Sequence, residues 1–380
     1  MKKTNTITYR PDGKLTILQV SDPQDLVHVR KAMVQMLDRA YDLVRPDLVL
    51  FTGDNILGNH LLDARFGTRQ VAAGEEATRK AMLASLHPIL WPLQKRGIPF
   101  AMIYGNHDNL NLISKEEQAA MFRSYSMCLP MNTDGDAPDP DTYVIRLADA
   151  QGRVRQALWM LDSAWYDKAA DRCYQAVKPE AVAWYRRESD ALRAGNGGEP
   201  VPSLLFLHIP LPQTEGLLTP CAADAPGALR TPEGPVRLDP AKAAGVLGEP
   251  LSVLEEDGGL YDALRAQRDV MAVVTGHDHC NCFVGRQDGI DFVQTPGASF
   301  RCYGNDQRGV RVFTLDAAHP DRYETEMLTY RDLCGSKLPA RLRYFWDADD
   351  LVYKKAAALA GGAALMIGAA VTAGVRLKKK

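Results

Sequence analysis

The chain has few cysteines and no arrangement among them: seven in 380 residues, an odd number without a framework spacing. That excludes a small disulfide scaffold and suits reduced thiols in a cytoplasmic compartment. A basic stripe with interleaved aromatics is also missing. The formal net charge is −2, so no nucleic-acid binding is expected. Met1-Lys2-Lys3-Thr4-Asn5-Thr6 has two lysines but no apolar segment behind them, and does not read as a signal peptide. Charge is absent altogether from Ala356 to Val375, which Lys354-Lys355 and Arg376-Leu377-Lys378-Lys379-Lys380 bracket. About 20 apolar residues span a bilayer as a helix, so 356–375 is expected as a C-terminal hydrophobic helix, a single membrane anchor followed by a basic tail, 376–380. Its Ala and Gly content makes the span marginal, and a helix packed on the domain is the plainer alternative. Small residues four apart, such as Ala357/Gly361 and Ala364/Gly368, would let it pair as a homodimer. With no export signal, the large domain before it is expected on the cytoplasmic side.

What is present is a long α/β pattern, 46% hydrophobic and 24% charged, enough to bury a large core. Residues 1–335 read as one domain and 336–355 as a linker. Leu15 to Ser21 is an apolar strand running into Asp22-Pro23-Gln24. A helix of 3.6-residue period follows from about Val29 to Val44, and Asp47 to Thr52 is a second buried strand leading to Gly53-Asp54-Asn55. A strand–helix–strand unit of this kind implies a parallel pair. A helix from about Glu75 to Lys95, kinked at Pro88 and Pro92, leads to strand 98–103 and Tyr104-Gly105-Asn106-His107-Asp108. Residues 142–147 and 154–162 form an antiparallel pair, and 179–193 a helix. Ser203 to Leu207 is a buried strand ending at His208. Pro212 to Pro250, rich in Pro, Gly and Ala, reads as a long loop over the site that sets substrate choice. After a short helix at 259–268, strand 270–274 delivers Gly276-His277-Asp278-His279. Residues 290–294, 309–315 and 323–328 read as closing strands.

Five apolar strands thus each end in a candidate ligand: a carboxylate, an amide or an imidazole, with no thiolate. In open α/β sheets, ligands bind outside the carboxyl ends of strands. This donor set suits iron, manganese or zinc, and it exceeds what one ion needs, so two ions sharing a carboxylate are the natural solution. Two such ions hold a hydroxide, bind phosphate oxygens and stabilise an in-line displacement. Gly58-Asn59-His60 repeats part of the central motif but precedes a polar loop, and is read as a decoy. His28, His60, His87 and His319 are read as structural or surface residues. Cys280 and Cys282 alternate with Asn281 and Phe283 as a strand would, which argues against a zinc knuckle. Arg301 and Tyr303 are candidates for facing the substrate.

Asp22-Pro23-Gln24, Gly53-Asp54-Asn55, Gly105-Asn106-His107-Asp108, His208 and Gly276-His277-Asp278-His279 occur in an order that resembles the calcineurin-like binuclear metallophosphoesterases. Phe51 to Ile56, Leu207 to Pro212 and Gly304 to Val312 look like the branch of plant purple-acid-phosphatase-like proteins and their fungal relatives. The resemblance covers roughly residues 14–330. It implies a four-layer α/β/β/α sandwich of two mixed sheets flanked by helices, and hydrolysis of a phosphate-ester substrate. It also implies roles: Asp54 bridging two metals, Asp22, Gln24 and His279 completing the first, Asn106, His208 and His277 the second. His107 would stabilise the transition state and protonate the leaving oxygen, with Asp108 orienting it. Where the family has Asp-x-His, this chain has Asp22-x-Gln24; a neutral amide should hold zinc less well than imidazole, so manganese or iron is expected. A phosphoprotein phosphatase, or a scaffold with a degenerate metal site, are the alternatives.

Overall fold

The structure is a computed structural model that describes residues 4–58, 62–63, 69–70, 74–132, 136–163 and 176–360. Its first sheet orders strands Tyr323–Thr329, Gly309–Asp316, Lys14–Val20, Leu48–Thr52 and Phe100–Ile103. The last three are parallel, as the strand–helix–strand reading requires. Helix Lys31–Val44 makes the first crossover. It buries Met33, Met36, Leu37, Ala40 and Tyr41 on one face and ends at Arg45 in a left-handed conformation, just before Pro46. Helix Glu75–Arg96 makes the second, as one helix through Pro88 and Pro92, and stops at Gly97.

The second sheet orders Thr6–Thr8, Tyr143–Ala148, Val154–Met160, Ser203–Phe206, Val270–Thr275, Ile290–Gln294, Cys282–Gln287 and Ala243–Val246. Both sheets are mixed. Period-2 alternation splits the second sheet between two cores. Leu158, Met160, Leu204, Phe206, Ala272 and Val274 share a core with the first sheet and its helices. Their neighbours Trp159, Leu205 and Val273 pack instead with Trp184 and Tyr185 of helix Pro179–Gly195 and Leu264 of helix Leu260–Gln267. Phe206 meets Phe313 edge-on at 6.0 Å between the sheets. The layers therefore run helix, sheet, sheet, helix.

Three stretches depart from the sequence reading. Residues 212–250, expected as a loop, carry a small antiparallel sheet of Leu218–Pro220, Gly234–Leu238 and Leu229–Thr231, and then the edge strand Ala243–Val246. Residues 336–355, expected as a linker, contain helix Leu338–Asp347 and are docked on the domain. Ala32 N donates to Asp347 Oδ2 at 2.6 Å, Arg30 pairs with Asp349 at 2.7 Å, and Arg308 with Asp350 at 2.7 Å. Helix Lys115–Arg123 was not read from the sequence. No helix among the described residues is long and apolar enough to cross a membrane, so the expected C-terminal hydrophobic helix has no structural support. Most of that stretch, 361–375, lies outside the described residues, as does His60.

Candidate metal centre

The carboxyl ends of strands from both sheets converge on one cavity of about 460 Å³. Asp22 and Gln24 follow Lys14–Val20, Asp54 follows Leu48–Thr52, and Asn106 and His107 follow Phe100–Ile103. His208 follows Ser203–Phe206, and His277 and His279 follow Val270–Thr275. Two ligand triads result, Asp54/His208/His277 and Asp22/Asp54/His279, each with its donor atoms within 4.8 Å of one another. Asp54 belongs to both. Gln24 Nε2 donates to Asp54 Oδ2 at 2.9 Å, and Asn106 Oδ1 lies 3.2 Å from His208 Nε2.

The backbone is bent to bring these groups together. Asp22, Gln24, Asp54 and His277 all have φ between 30° and 70°, the left-handed region that costs a non-glycine residue about 1–3 kcal/mol. Hydrogen bonds between the turns hold them there: Asp22 N to Gly53 O at 3.2 Å and Gln24 N to Asp54 O at 2.9 Å. Glycine is required where the turns touch. A Cβ on Gly53 would lie 2.3 Å from His208 Nδ1, and one on Gly105 would lie 2.1 Å from Asp54 Oδ1.

The imidazoles are oriented from behind. Thr52 O lies 2.9 Å from His208 Nδ1, and Tyr303 O lies 3.0 Å from His279 Nδ1. A carbonyl only accepts, so each Nδ1 carries the hydrogen and each Nε2 faces the carboxylates, the arrangement that fixes ligand histidines. His208 Nε2 is 3.4 Å from Asp54 Oδ1, and His279 Nε2 is 3.5 Å from Asp22 Oδ1. Burial opposes charge on Asp22 and Asp54, yet neighbouring histidines hold both carboxyls below the usual range. Burial likewise disfavours a charged His208, but Asp54 and Asp22 push it up to about 10. Burial and His208 push His277 down to about 3. Two buried carboxylates are thus balanced by a proton where a cation would serve. Asp22 Oδ1 and Gln24 Oε1 are buried without a hydrogen-bond partner among the described residues. A buried acceptor left unmade costs about 1–3 kcal/mol, so Asp22 Oδ1 fits a metal ion as a ligand where it stands, and Gln24 Oε1 fits one once its amide is reversed.

Asp108 has partners that the sequence reading did not name. Its carboxylate accepts from Asn55 N at 3.0 Å, Asn55 Nδ2 at 3.0 Å, Ile56 N at 3.2 Å and Gly105 N at 2.8 Å. It clamps the Asp54 turn to the Asn106 turn, and among the described residues its carboxylate's hydrogen bonds go to these two turns. His107 lines the cavity, and its backbone N donates to Asp54 Oδ1 at 2.9 Å. Arg301 and Tyr303 line the cavity too, with Tyr303 stacked on His279 at 4.5 Å. Arg301 is buried and bonded to Asp25 Oδ1 at 3.1 Å and His28 O at 2.9 Å, so it braces the first turn. Asp349 and Asp350 also line the cavity and were missed because their segment was read as a linker. Cys280 and Cys282 join neither ligand group.

The family model for calcineurin-like phosphoesterases matches residues 15–281. The chain belongs to this family. It is 24% identical over 349 residues to "Probable inactive purple acid phosphatase 29" of Arabidopsis thaliana, covering 82% of this chain and 79% of that protein. It is 26% identical over 321 residues to "Phosphatase DCR2" of Saccharomyces cerevisiae, covering 79% of this chain and 48% of that protein. Among solved structures, a dimetal phosphatase from Danio rerio aligns with a TM-score of 0.46 at 13% identity, covering 83% of this chain and 99% of the other.

Proposed function

We propose that the chain is a two-metal phosphoesterase that hydrolyses a phosphomonoester or phosphodiester. The observation that carries this is the sharing of Asp54 between two ligand triads. Asp54 would bridge the ions, with Asp22, Gln24 and His279 at one and Asn106, His208 and His277 at the other. Manganese or iron suits this set best, with zinc disfavoured at the Gln24 side. When bound, two such ions supply Lewis-acid charge and an activated water for in-line displacement at phosphorus. The chain's own residues do the rest. The amide N of His107 holds one oxygen of Asp54, and its ring, on the cavity wall, would give a proton to the leaving oxygen. Asp108 keeps the two turns in register so that both functions of the pair persist.

The second reading, a scaffold with a degenerate site, has two supports: Gln24 and the word "inactive" in the names of relatives. Gln24 turns its NH₂ to Asp54, so its amide must reverse to offer Oε1 to an ion. Every other position keeps a donor of the expected type. Chelation of the purified chain, followed by readdition of manganese, iron or zinc over a panel of phosphate esters, separates the readings. Turnover that vanishes and returns with metal supports the enzyme; a metal-loaded chain that cleaves no ester supports the scaffold. We also propose, from the sequence alone, that 356–375 anchors the chain with its domain in the cytoplasm. Fractionation of intact cells with external protease tests this: soluble full-length chain, or cleavage from outside, counts against it.

A further inference from the structure

Helix Leu338–Asp347 carries two different faces. Ala340, Tyr344 and Asp347 turn inward: Tyr344 OH donates to Asn305 O at 2.9 Å, and Asp347 accepts from Ala32 N. On the other side Leu338 is 66% exposed, Leu342 47% and Trp346 46%. Their spacing of four places them on one stripe, and Phe345, ring against ring with Trp346 at 5.2 Å, widens it. Arg341 and Arg343 are exposed on its two flanks. The charges of this segment are sorted. Between Ser336 and Ala360 the acids are Asp347, Asp349 and Asp350, and each is bonded inward, to Ala32 N, Arg30 and Arg308. Of the bases, Lys337, Arg341, Arg343 and Lys354 are exposed and Lys355 is half-buried. Val352, Tyr353 and Leu359 continue the exposed apolar surface toward the uncharged stretch that ends at Val375.

We propose that this helix seats its Leu338/Leu342/Trp346 stripe in an anionic lipid surface, lying in the interface plane. An apolar stripe ending in tryptophan, flanked by arginines and free of outward acids, has the form of an interfacial helix and the charge complement of anionic headgroups. Asp349 and Asp350, three and four residues past Trp346, line the metal cavity. At a maximum of about 3.6 Å per residue the cavity rim is within about 15 Å of the stripe. The surface would therefore hold the cavity close to phosphate esters of lipids. The docking itself does not depend on the phosphoesterase reading.

The experiment uses the full chain with vesicles of phosphatidylcholine, or phosphatidylcholine with phosphatidylserine, some carrying brominated acyl chains. Tryptophan emission should be quenched on serine-containing vesicles, and the Trp346→Phe variant should lose the quenched component. Arg341→Glu/Arg343→Glu should weaken binding to anionic vesicles by about tenfold or more, and added salt should do the same. Leu342→Glu should abolish the quenching. Hydrolysis of a soluble ester should stay unchanged in all three, because these residues lie outside the metal centre; if wild type cleaves none, the docking result still stands by itself. Vesicle binding without Trp346 quenching would show that another segment makes the contact and would overturn the proposal. A stripe that instead holds two copies together in solution, seen as a dimer that Leu342→Glu dissociates, would also overturn it.

Discussion

Gly105→Ala tests the packing behind the metal centre with a single carbon atom. Gly105 does not need its freedom of φ, so alanine fits the backbone there, and the effect is one of space. The new Cβ would lie 2.1 Å from Asp54 Oδ1 and 2.2 Å from Asp54 N, whereas ordinary contact begins at 3.4 Å. The carboxylate must retreat by about 1 Å. Metal–oxygen bonds are about 2.0–2.2 Å long, and a misplacement of about 1 Å costs on the order of 10²-fold in rate. The perturbed turn should also lower stability by about 1–3 kcal/mol, the usual cost of overpacking. The assay is metal content by mass spectrometry, beside ester hydrolysis and thermal melting followed by circular dichroism. Gly195→Ala is the control: it ends helix Pro179–Gly195 with nothing within 4 Å, so it should keep activity and melt no lower. A folded Gly105→Ala protein with full metal content and a rate within about twofold of wild type would refute the reasoning.

His107→Ala should retain metal and lose about 10²–10⁴-fold in rate, measured with metal analysis on the same sample. Asp108→Asn should turn an NH₂ group toward backbone N–H donors and lower the melting temperature, as thermal denaturation would show. Gln24→His should raise zinc affinity relative to manganese in competition titrations. In the metal-free chain His208 is pushed up to about 10, so it is protonated at neutral pH and must lose that proton to bind metal. Metal affinity should therefore rise with pH up to that value and fall as pH drops. Calorimetry in buffers of different ionisation enthalpy should detect proton release.

The strand ends were legible because burial on both faces makes their strands continuous apolar runs, and because each run stops at a residue of distinctive chemistry. Asp54 and His208 could be found this way although they lie in different sheets. The appended sheet in 212–250 was not legible. Its strands Leu218–Pro220, Leu229–Thr231 and Gly234–Leu238 are half-exposed throughout and show no clean alternation. Helix Lys115–Arg123 did carry a signal, Ser114-x-x-Glu117, and Ser114 Oγ accepts from Glu117 N at 3.2 Å. The role of Asp108 was invisible because most of its partners belong to Asn55 and Ile56, 53 and 52 residues away in the chain. Helix Leu338–Asp347 was obscured by its outward stripe, which competes with the inward face for the same periodicity.

The central claim is that two ions share Asp54. Its most direct test is the metal stoichiometry of the purified chain reconstituted with manganese, measured by mass spectrometry for wild type beside Asp54→Ala. The expected result is two ions per wild-type chain, with both ions and ester hydrolysis lost together in the variant. One ion in a fully active wild type, or two ions retained by Asp54→Ala, would contradict it.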